Sequence, residues 1–325
     1  MSVTVFLGGF GFGNLGDEAC LATAYKDFKG DTNCCFSFDP VITGKAASFD
    51  FFFQQLPELL ERFSKIDRVV IAGGGIGFMP SFKDNLDWAM HCQSRGAEVI
   101  IHNIGIGKIG PEWTQDFPHL VSVIRSAKAF SVRDHRSRLE VESWGIGLSP
   151  EVSFYPERNH PASPALSYLL PEKQRYLGLS VNNRPQLWSV LRDNKTEIKS
   201  ILNAYPDSAI VPVVSTIHAL DTHEHDDEGF RRFVAEFGLG SRVVAKELAA
   251  PEFWRAHVGP ADVKYVISRC SVLLSARKHN IIHAIGARIP FVGLFEFDND
   301  SIPRVYQTLF STLPPGSCLF PLYPA

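Results

Sequence analysis

The sequence lacks several features that would have named its class at once. No apolar run approaches the about 18 residues needed to cross a bilayer, although apolar residues make up 45% of the 325-residue chain. There is no basic excess: 32 Lys and Arg against 35 Asp and Glu leave a net charge near −3, with no block of one sign. Nucleic acid is therefore not expected as a partner, since a phosphate backbone calls for a basic stripe. The six cysteines include no C-x-x-C pair, and Cys34 and Cys35 are adjacent, so neither a zinc framework nor a disulfide framework is indicated. Reduced thiols of a cytoplasmic protein are expected. The chain opens directly into the strand-like "SVTVFLGG" without a basic leader, so a signal peptide is not expected. Short repeats and low-complexity segments are missing as well.

What is present is alternation. Short β-branched runs ("VTVFLGG", "TNCCFSFD", "DRVVIAGGG", "AEVIIHNIGIG", "AFSVRD") are separated by helical stretches such as "DEACLATAYKDF", "FFQQLPELLERFSKI", "FKDNLDWAMHCQSRG" and "EWTQDFPHLVSVIRSA". This is the pattern of βα units on a parallel sheet. Residues 147–174 carry five prolines and break the rhythm, which then resumes with "RYLGLSVN", "SAIVPVVS", "SRVVAK", "CSVLLSAR" and "IPFVGLFEF". The expected fold is α/β: two doubly wound, Rossmann-like domains facing across a cleft. Expected boundaries are 1–150, a proline-rich linker at 151–174, a second domain at 175–300, and a C-terminal helix and tail at 301–325.

Ligands of such folds bind at the carboxyl ends of the strands, and the unusual residues fall there. Gly11-x-Gly13-x-x-Gly16 follows the first strand, with Asn14 inside it and Asp17 and Glu18 after it. The glycines match a dinucleotide fingerprint, with Asp39 at about the right distance for a ribose. The two carboxylates fit that reading poorly, because they fall where a pyrophosphate would meet a helix start. Gly74 and Gly75 end the third strand, and "NIGIGKIGP" ends the fourth. Such loops permit either close approach to a ligand or simply tight turns. Arg133 and Asp134 end the fifth strand; Asp134 is expected to cap the next helix, and Arg133 to pair with it or to hold an anion.

In the second half, Arg184 follows Asn182 and Asn183 at a strand end, where an arginine can grip a carboxylate or phosphate bidentately. "TIHALDTHEHDDE" contains His223, His225, Asp221 and Asp226 but no third firm metal ligand at characteristic spacing, so no metal is expected, and His225 is assigned to a substrate-contacting loop. "LLSARKHNIIHAIGARIP" places Arg277 and His279 two residues apart where a strand runs into a helix, with His283 one turn later. That is an anion site beside a titratable group.

Taken together, "GFGNLGDEA", "AGGG", "NIGIGKIGP", "SVRDHRSRLEVESWGI", "LGLSVNNR" and "LLSARKHNIIHAIGARIPFVGLFEFD" resemble the polysaccharide pyruvyltransferase family over about residues 3–300. The resemblance implies a GT-B-like pair of domains and transfer of the pyruvyl group of phosphoenolpyruvate to a saccharide as a ketal. The biosynthetic setting would be cell-surface or exopolysaccharide assembly. It implies no cofactor and no metal. The acceptor is a saccharide, free or lipid-linked; the chain is cytoplasmic, with peripheral attachment at the inner face of the membrane as a variant of that expectation. On this resemblance Arg277 and Arg184 hold phosphoenolpyruvate and His279 is the general acid–base. Asn14, Asp17, Glu18, Gly74, Gly75, Arg133, His225 and Asp298 line the acceptor side. The grip requires an Arg277 guanidinium that faces the ligand and is not walled off in a salt bridge. The chain departs from the family at "SPEVSF", and in lacking a lysine near Asp298. A GT-B-type nucleotide-sugar glycosyltransferase and a non-catalytic saccharide-binding relative are the alternatives.

Overall fold

The computed structural model describes residues 2–74, 81–153, 161–172, 174–296 and 301–322. It divides into two compact units: residues 1–12 with 17–156, and residues 13–16 with 157–325.

The first unit is built on seven parallel strands: β1 (Val3–Leu7), β2 (Thr32–Phe36), β3 (Phe51–Phe53), β4 (Arg68–Ala72), β5 (Glu98–Ile104), β6 (Ala129–Val132) and β7 (Glu151–Val152). Their order is β3-β2-β1-β4-β5-β6-β7. The run Val3–Leu7 is buried at every position, as both-face coverage demands. Alternate residues feed two cores: Val5, Leu7, Val69 and Ile71 pack on one face, Phe6, Val70 and Ile100 on the other. The chain order reverses at β1, and the loops after β1 and β4 stand side by side at that switch point.

The second unit holds β8 (Tyr176–Ser180), β9 (Ala209–Pro212), β10 (Val272–Ser275), β11 (Phe291–Glu296) and β12 (Cys318–Leu322), all parallel, in the order β12-β11-β10-β8-β9. Its switch point lies between β8 and β10, where Ser275 pairs with Ser180. Trp188, Trp254, Tyr176, Phe233 and Phe291 are among its fully buried side chains.

Several boundaries differ from the sequence expectation. The first unit runs past 150 because Glu151–Val152 adds an edge strand beside β6. "FFQQLPELLERF" is not one helix: Phe51–Phe53 pairs with β2, and α3 (Leu56–Arg62) starts only where Pro57 fixes a helical φ. Pro118 likewise splits "EWTQDFPHLVSVIR" into α5 (Trp113–Asp116) and α6 (Pro118–Arg125). "SRVVAK" is not a strand but two single-turn 3₁₀ segments around one bridge, Ile210 to Val243. The C-terminal segment does not end as a tail: after α14 (Ser301–Thr308), Cys318–Leu322 pairs with β11. All six cysteines are free thiols. Among the described residues no helix is long and apolar enough to cross a membrane.

Candidate functional site

In the second unit the polar residues converge on the carboxyl ends of β8, β9 and β10. Asn280, fully buried in α13 (Lys278–Ala287), ties the three ends together. Its Nδ2 donates to Ser180 Oγ at the end of β8 at 2.7 Å and to Ser215 Oγ after β9 at 3.1 Å. Ser275 Oγ, at the end of β10, accepts from the Arg277 N–H at 2.9 Å. Arg277 is the N-cap residue of α13, in extended conformation. Strand end, turn and helix start are thus cross-linked by side chains, which fixes the direction in which Arg277 and His279 leave the backbone.

An open guanidinium at Arg277 is not what the structure holds, and this corrects the sequence reading. Nε donates to Asp226 Oδ1 at 2.6 Å, Nη1 donates to Glu224 Oε2, and Nη2 donates to the Glu224 carbonyl at 2.6 Å. The side chain is 14% exposed. Burial disfavours its charge, but the two carboxylates outweigh burial and raise its pKa further. Arg184, whose side chain is 42% exposed, pairs through Nε and Nη2 with the other oxygen of the same Glu224. Burial would lift the Glu224 carboxyl, but Arg277 and Arg184 prevail and hold it below the usual carboxylate range. Asp226 is buried at the start of α10 (Asp226–Phe237) and also accepts from Ser215 N, Ser215 Oγ and Thr216 N, each at 3.0 Å. Burial pushes its carboxyl up from the ordinary value, while Arg277 and these donors pull it back. Two cations and two anions therefore cancel, with Arg184 on the open side.

His279, 8% exposed, sits in the first turn of α13, and its ring lies against Gly16 of the segment 13–16. A Cβ on Gly16 would stand 2.1 Å from His279 Nδ1 and 2.3 Å from Cγ. That segment is held by Leu15 N–H donating to Ser215 O at 2.9 Å, Ile217 N–H donating to Gly13 O at 3.0 Å, and a bridge between Asn14 and Thr216. Gly13 has φ +85°, and a Cβ there would strike the Ile217 carbonyl at 2.0 Å. Asn14 Oδ1 accepts from Gly16 N–H at 3.1 Å. The opening glycines are therefore spent on packing within the protein rather than on cradling a pyrophosphate. We expect Gly16→Ala to displace the imidazole and lower turnover more than stability, read from initial rates beside thermal unfolding of the same sample.

His225 is half-buried; its Nε2 lies 3.0 Å from His218 O, and its Nδ1 faces Asp227 and Glu228 at 3.9 and 3.7 Å. It braces the loop before α10. No group of three or more metal-ligating side chains occurs among the described residues. His283, 2% exposed, lies one turn beyond His279 and is packed inside.

The first-unit residues separate from one another. Asp17, half-buried, accepts from Gly74 N–H at 3.0 Å and so links the loops after β1 and β4. Glu18 cannot orient a saccharide hydroxyl as expected, because it is fully buried. Its Oε1 accepts from Gly11 N–H at 2.6 Å and lies 3.4 Å from Thr43 Oγ1; Oε2 has no hydrogen-bond partner among the described residues. Burial, reinforced by the charges of Asp17 and Asp39, pushes its carboxyl up to about 8 against the Gly11 hydrogen bond. This folded value exceeds the unfolded one, so the stability contribution is complete below the unfolded pKa and is lost as pH rises through about 8. We expect Glu18→Gln to flatten that fall, with a gain of up to a few kcal/mol in alkali, read from unfolding midpoints across pH.

Arg133 is also buried, against Gly105, with Nε 3.7 Å from Asp134 Oδ2; it is not a surface anion ligand of this conformation. Asp134 caps α7 (His135–Ser143), accepting from Ser137 N–H at 2.7 Å. Asp39 caps the one-turn helix Pro40–Thr43 by accepting from Val41 N–H at 3.0 Å, which engages one oxygen of the carboxylate a ribose would need. Gly75 and Asp298 lie outside the described residues.

The family description "Polysaccharide pyruvyl transferase" matches residues 14–294. The chain belongs to that family. Arg184, Glu224, Asp226, Arg277, His279 and Asn280 all lie inside the match. A comparison with curated proteins finds no match. Solved structures share the fold of this pyruvyl transferase family member at low identity. The UDP-GlcNAc 2-epimerase of Neisseria meningitidis bound to UDP-GlcNAc is similar at TM-score 0.57 and 12% identity, over 94% of this chain and 85% of its own. The UDP-GlcNAc 2-epimerase of Methanocaldococcus jannaschii is similar at 0.57 and 11%, over 99% and 89%. Anabaena Alr3699/HepE in complex with UDP-glucose is similar at 0.54 and 14%, over 90% and 80%. The pyruvyl transferase family member is thus a GT-B-like pair of Rossmann-like domains.

Proposed function

We propose that this family member transfers the pyruvyl group of phosphoenolpyruvate to a saccharide as a cyclic ketal. The observation that carries the reading is the family match across residues 14–294. The setting of His279 supports it: an imidazole packed against Gly16 at a switch point, two residues after Arg277, which shares Glu224 with Arg184.

The chemistry follows from those groups. C3 of phosphoenolpyruvate takes a proton, C2 becomes oxocarbenium-like, and one sugar hydroxyl bonds to C2 and gives up its proton. The C2–O bond to phosphate then breaks as a second hydroxyl of the same sugar bonds to C2, its proton passing to the departing phosphate, and inorganic phosphate is released. His279 serves as the general acid–base for the proton movements. Arg184 is the more exposed of the two arginines and meets the phosphate or carboxylate of the donor. Arg277 fixes the local geometry through Asp226 and contributes charge from a set position. Donor identity, a saccharide acceptor and a cytoplasmic site of action all belong to this one reading.

The test is direct. Purified protein is given phosphoenolpyruvate and a panel of saccharides, and phosphate release is followed together with the mass of the ketal product. Thermal unfolding with phosphoenolpyruvate, UDP-sugars and NAD is run alongside, because a ligand of the native state raises the midpoint. Stabilisation by a UDP-sugar with none by phosphoenolpyruvate would defeat the proposal.

A further inference from the structure

We infer that Glu224 is an internal competitor for the anionic groups of the donor: it fills the space between Arg184 and Arg277 in the resting chain and leaves it when an anion binds. The inference takes the identity of that anion from the pyruvyl-transfer reading, but not the existence of the competition. One Glu224 oxygen takes Arg184 and the other takes Arg277. A single carboxylate gripped by two guanidiniums is the arrangement in which a substrate carboxylate or phosphate would be held.

Two features separate a competitor from a strut. First, Arg277 does not depend on the carboxylate for its position. Nε remains on Asp226 Oδ1 and Nη2 on the Glu224 main-chain carbonyl, both at 2.6 Å. When the carboxylate swings away, the guanidinium stays where it is. Second, Glu224 closes a one-turn 3₁₀ segment, Thr222–Glu224, whose other two residues are exposed. Rotation about its own side-chain bonds carries the carboxylate towards solvent without moving α10. Among the ion pairs of the described residues, its departure leaves Arg184 and Arg277 opposed only by Asp226, so the vacated space carries a net positive charge.

Such a residue lowers the affinity of every anion that needs both arginines by one common factor, the fraction of chains in which it stands aside. A fixed field would instead scale with the charge of the ligand. Return of the carboxylate would also help expel inorganic phosphate after the reaction.

The experiment is titration calorimetry on the full chain with phosphoenolpyruvate and, separately, inorganic phosphate. The proteins are wild type, Glu224→Gln, Glu224→Ala and the exposed control Glu252→Gln, which removes the same charge elsewhere in the unit. Both Glu224 variants should bind phosphate at least about tenfold tighter, and phosphoenolpyruvate tighter by the same factor. In turnover the change should appear as a lower KM without a higher kcat. The control should match wild type. Unchanged or weaker phosphate binding by folded Glu224→Gln and Glu224→Ala overturns the inference, as does failure of both to fold, which would make Glu224 a strut. Tighter phosphate with no phosphoenolpyruvate binding by any protein keeps the inference and removes the donor reading. Phosphoenolpyruvate turnover with unaltered anion affinity does the reverse.

Discussion

Replacing His279 by Ala is expected to cut phosphoenolpyruvate-dependent ketal formation by about 10²–10⁴-fold, the usual contribution of a positioned general acid–base, while the chain stays folded. The side chain is 8% exposed in the first turn of α13. Alanine is a good helix former there, and Asn280, not His279, ties the strand ends together. Truncation therefore removes a proton carrier and some packing against Gly16, not a strut. The measurement is phosphate release at saturating donor, with thermal unfolding as the control for folding. Activity within about twofold of wild type would remove His279 from the chemistry, since no general acid–base is so dispensable. A collapse of the unfolding midpoint would give it a structural role instead. Comparison with Gly16→Ala sharpens the result: that variant keeps the imidazole but denies it its place, so a similar loss in both would locate the requirement in the position of the ring.

The parts of this protein that were legible in its sequence are those fixed by local pattern. β1, β4, β8, β10 and β11 are continuous apolar runs because both faces of each sheet are covered, and such runs stand out. Short edge elements did not. β7 has two residues, too few for any periodicity, and Phe51–Phe53 looks the same as the apolar entry to a helix until Pro57 is seen to set the start. "RVVA" has strand composition, but among the described residues it makes a single bridge, Val243 beside Ile210, with the Val244 N–H donating to the Ile210 carbonyl. At the site, Arg277 and His279 were legible because a strand ending in charged residues before a helix is itself a local signal. What these residues touch was not. Glu224 is 53 positions from Arg277, and its acidic neighbourhood read as a substrate-contacting loop. The one available signal was charge balance: an acidic stretch after one strand and two arginines after two others, all at the same end of one parallel sheet. Depth was equally hidden. Glu18 carries the composition of a helix N-terminus, where a carboxylate is ordinarily exposed, yet it is sealed beneath Gly11 and Thr43.

The pairing makes Arg277 a stability determinant of the resting chain, whatever anion it meets once Glu224 moves aside, and Arg277→Ala should expose this. The guanidinium is the cation that sits against both Asp226 and Glu224. Asp226 is buried, and its burial already pushes its carboxyl up. Without Arg277 it keeps its three bonds from Ser215 and Thr216 but loses its compensating charge. Breaking a buried pair by deleting one partner typically costs about 3–5 kcal/mol, a large share of the about 5–15 kcal/mol that holds a domain together. A substrate arginine on an open surface would cost almost nothing in stability. Denaturant unfolding of the free protein therefore separates the two roles with no substrate present. A fall of several kcal/mol assigns Arg277 to the framework that aims α13; a fall below about 0.5 kcal/mol, the range of ordinary surface substitutions, would mean the ion pairs are incidental. Because Asp226 is then the group in distress, adding Asp226→Asn to Arg277→Ala should recover part of the loss, the coupling expected of two residues in one network. Arg184→Ala, removing the more exposed partner of the same Glu224, should leave stability nearly unchanged and weaken the donor instead.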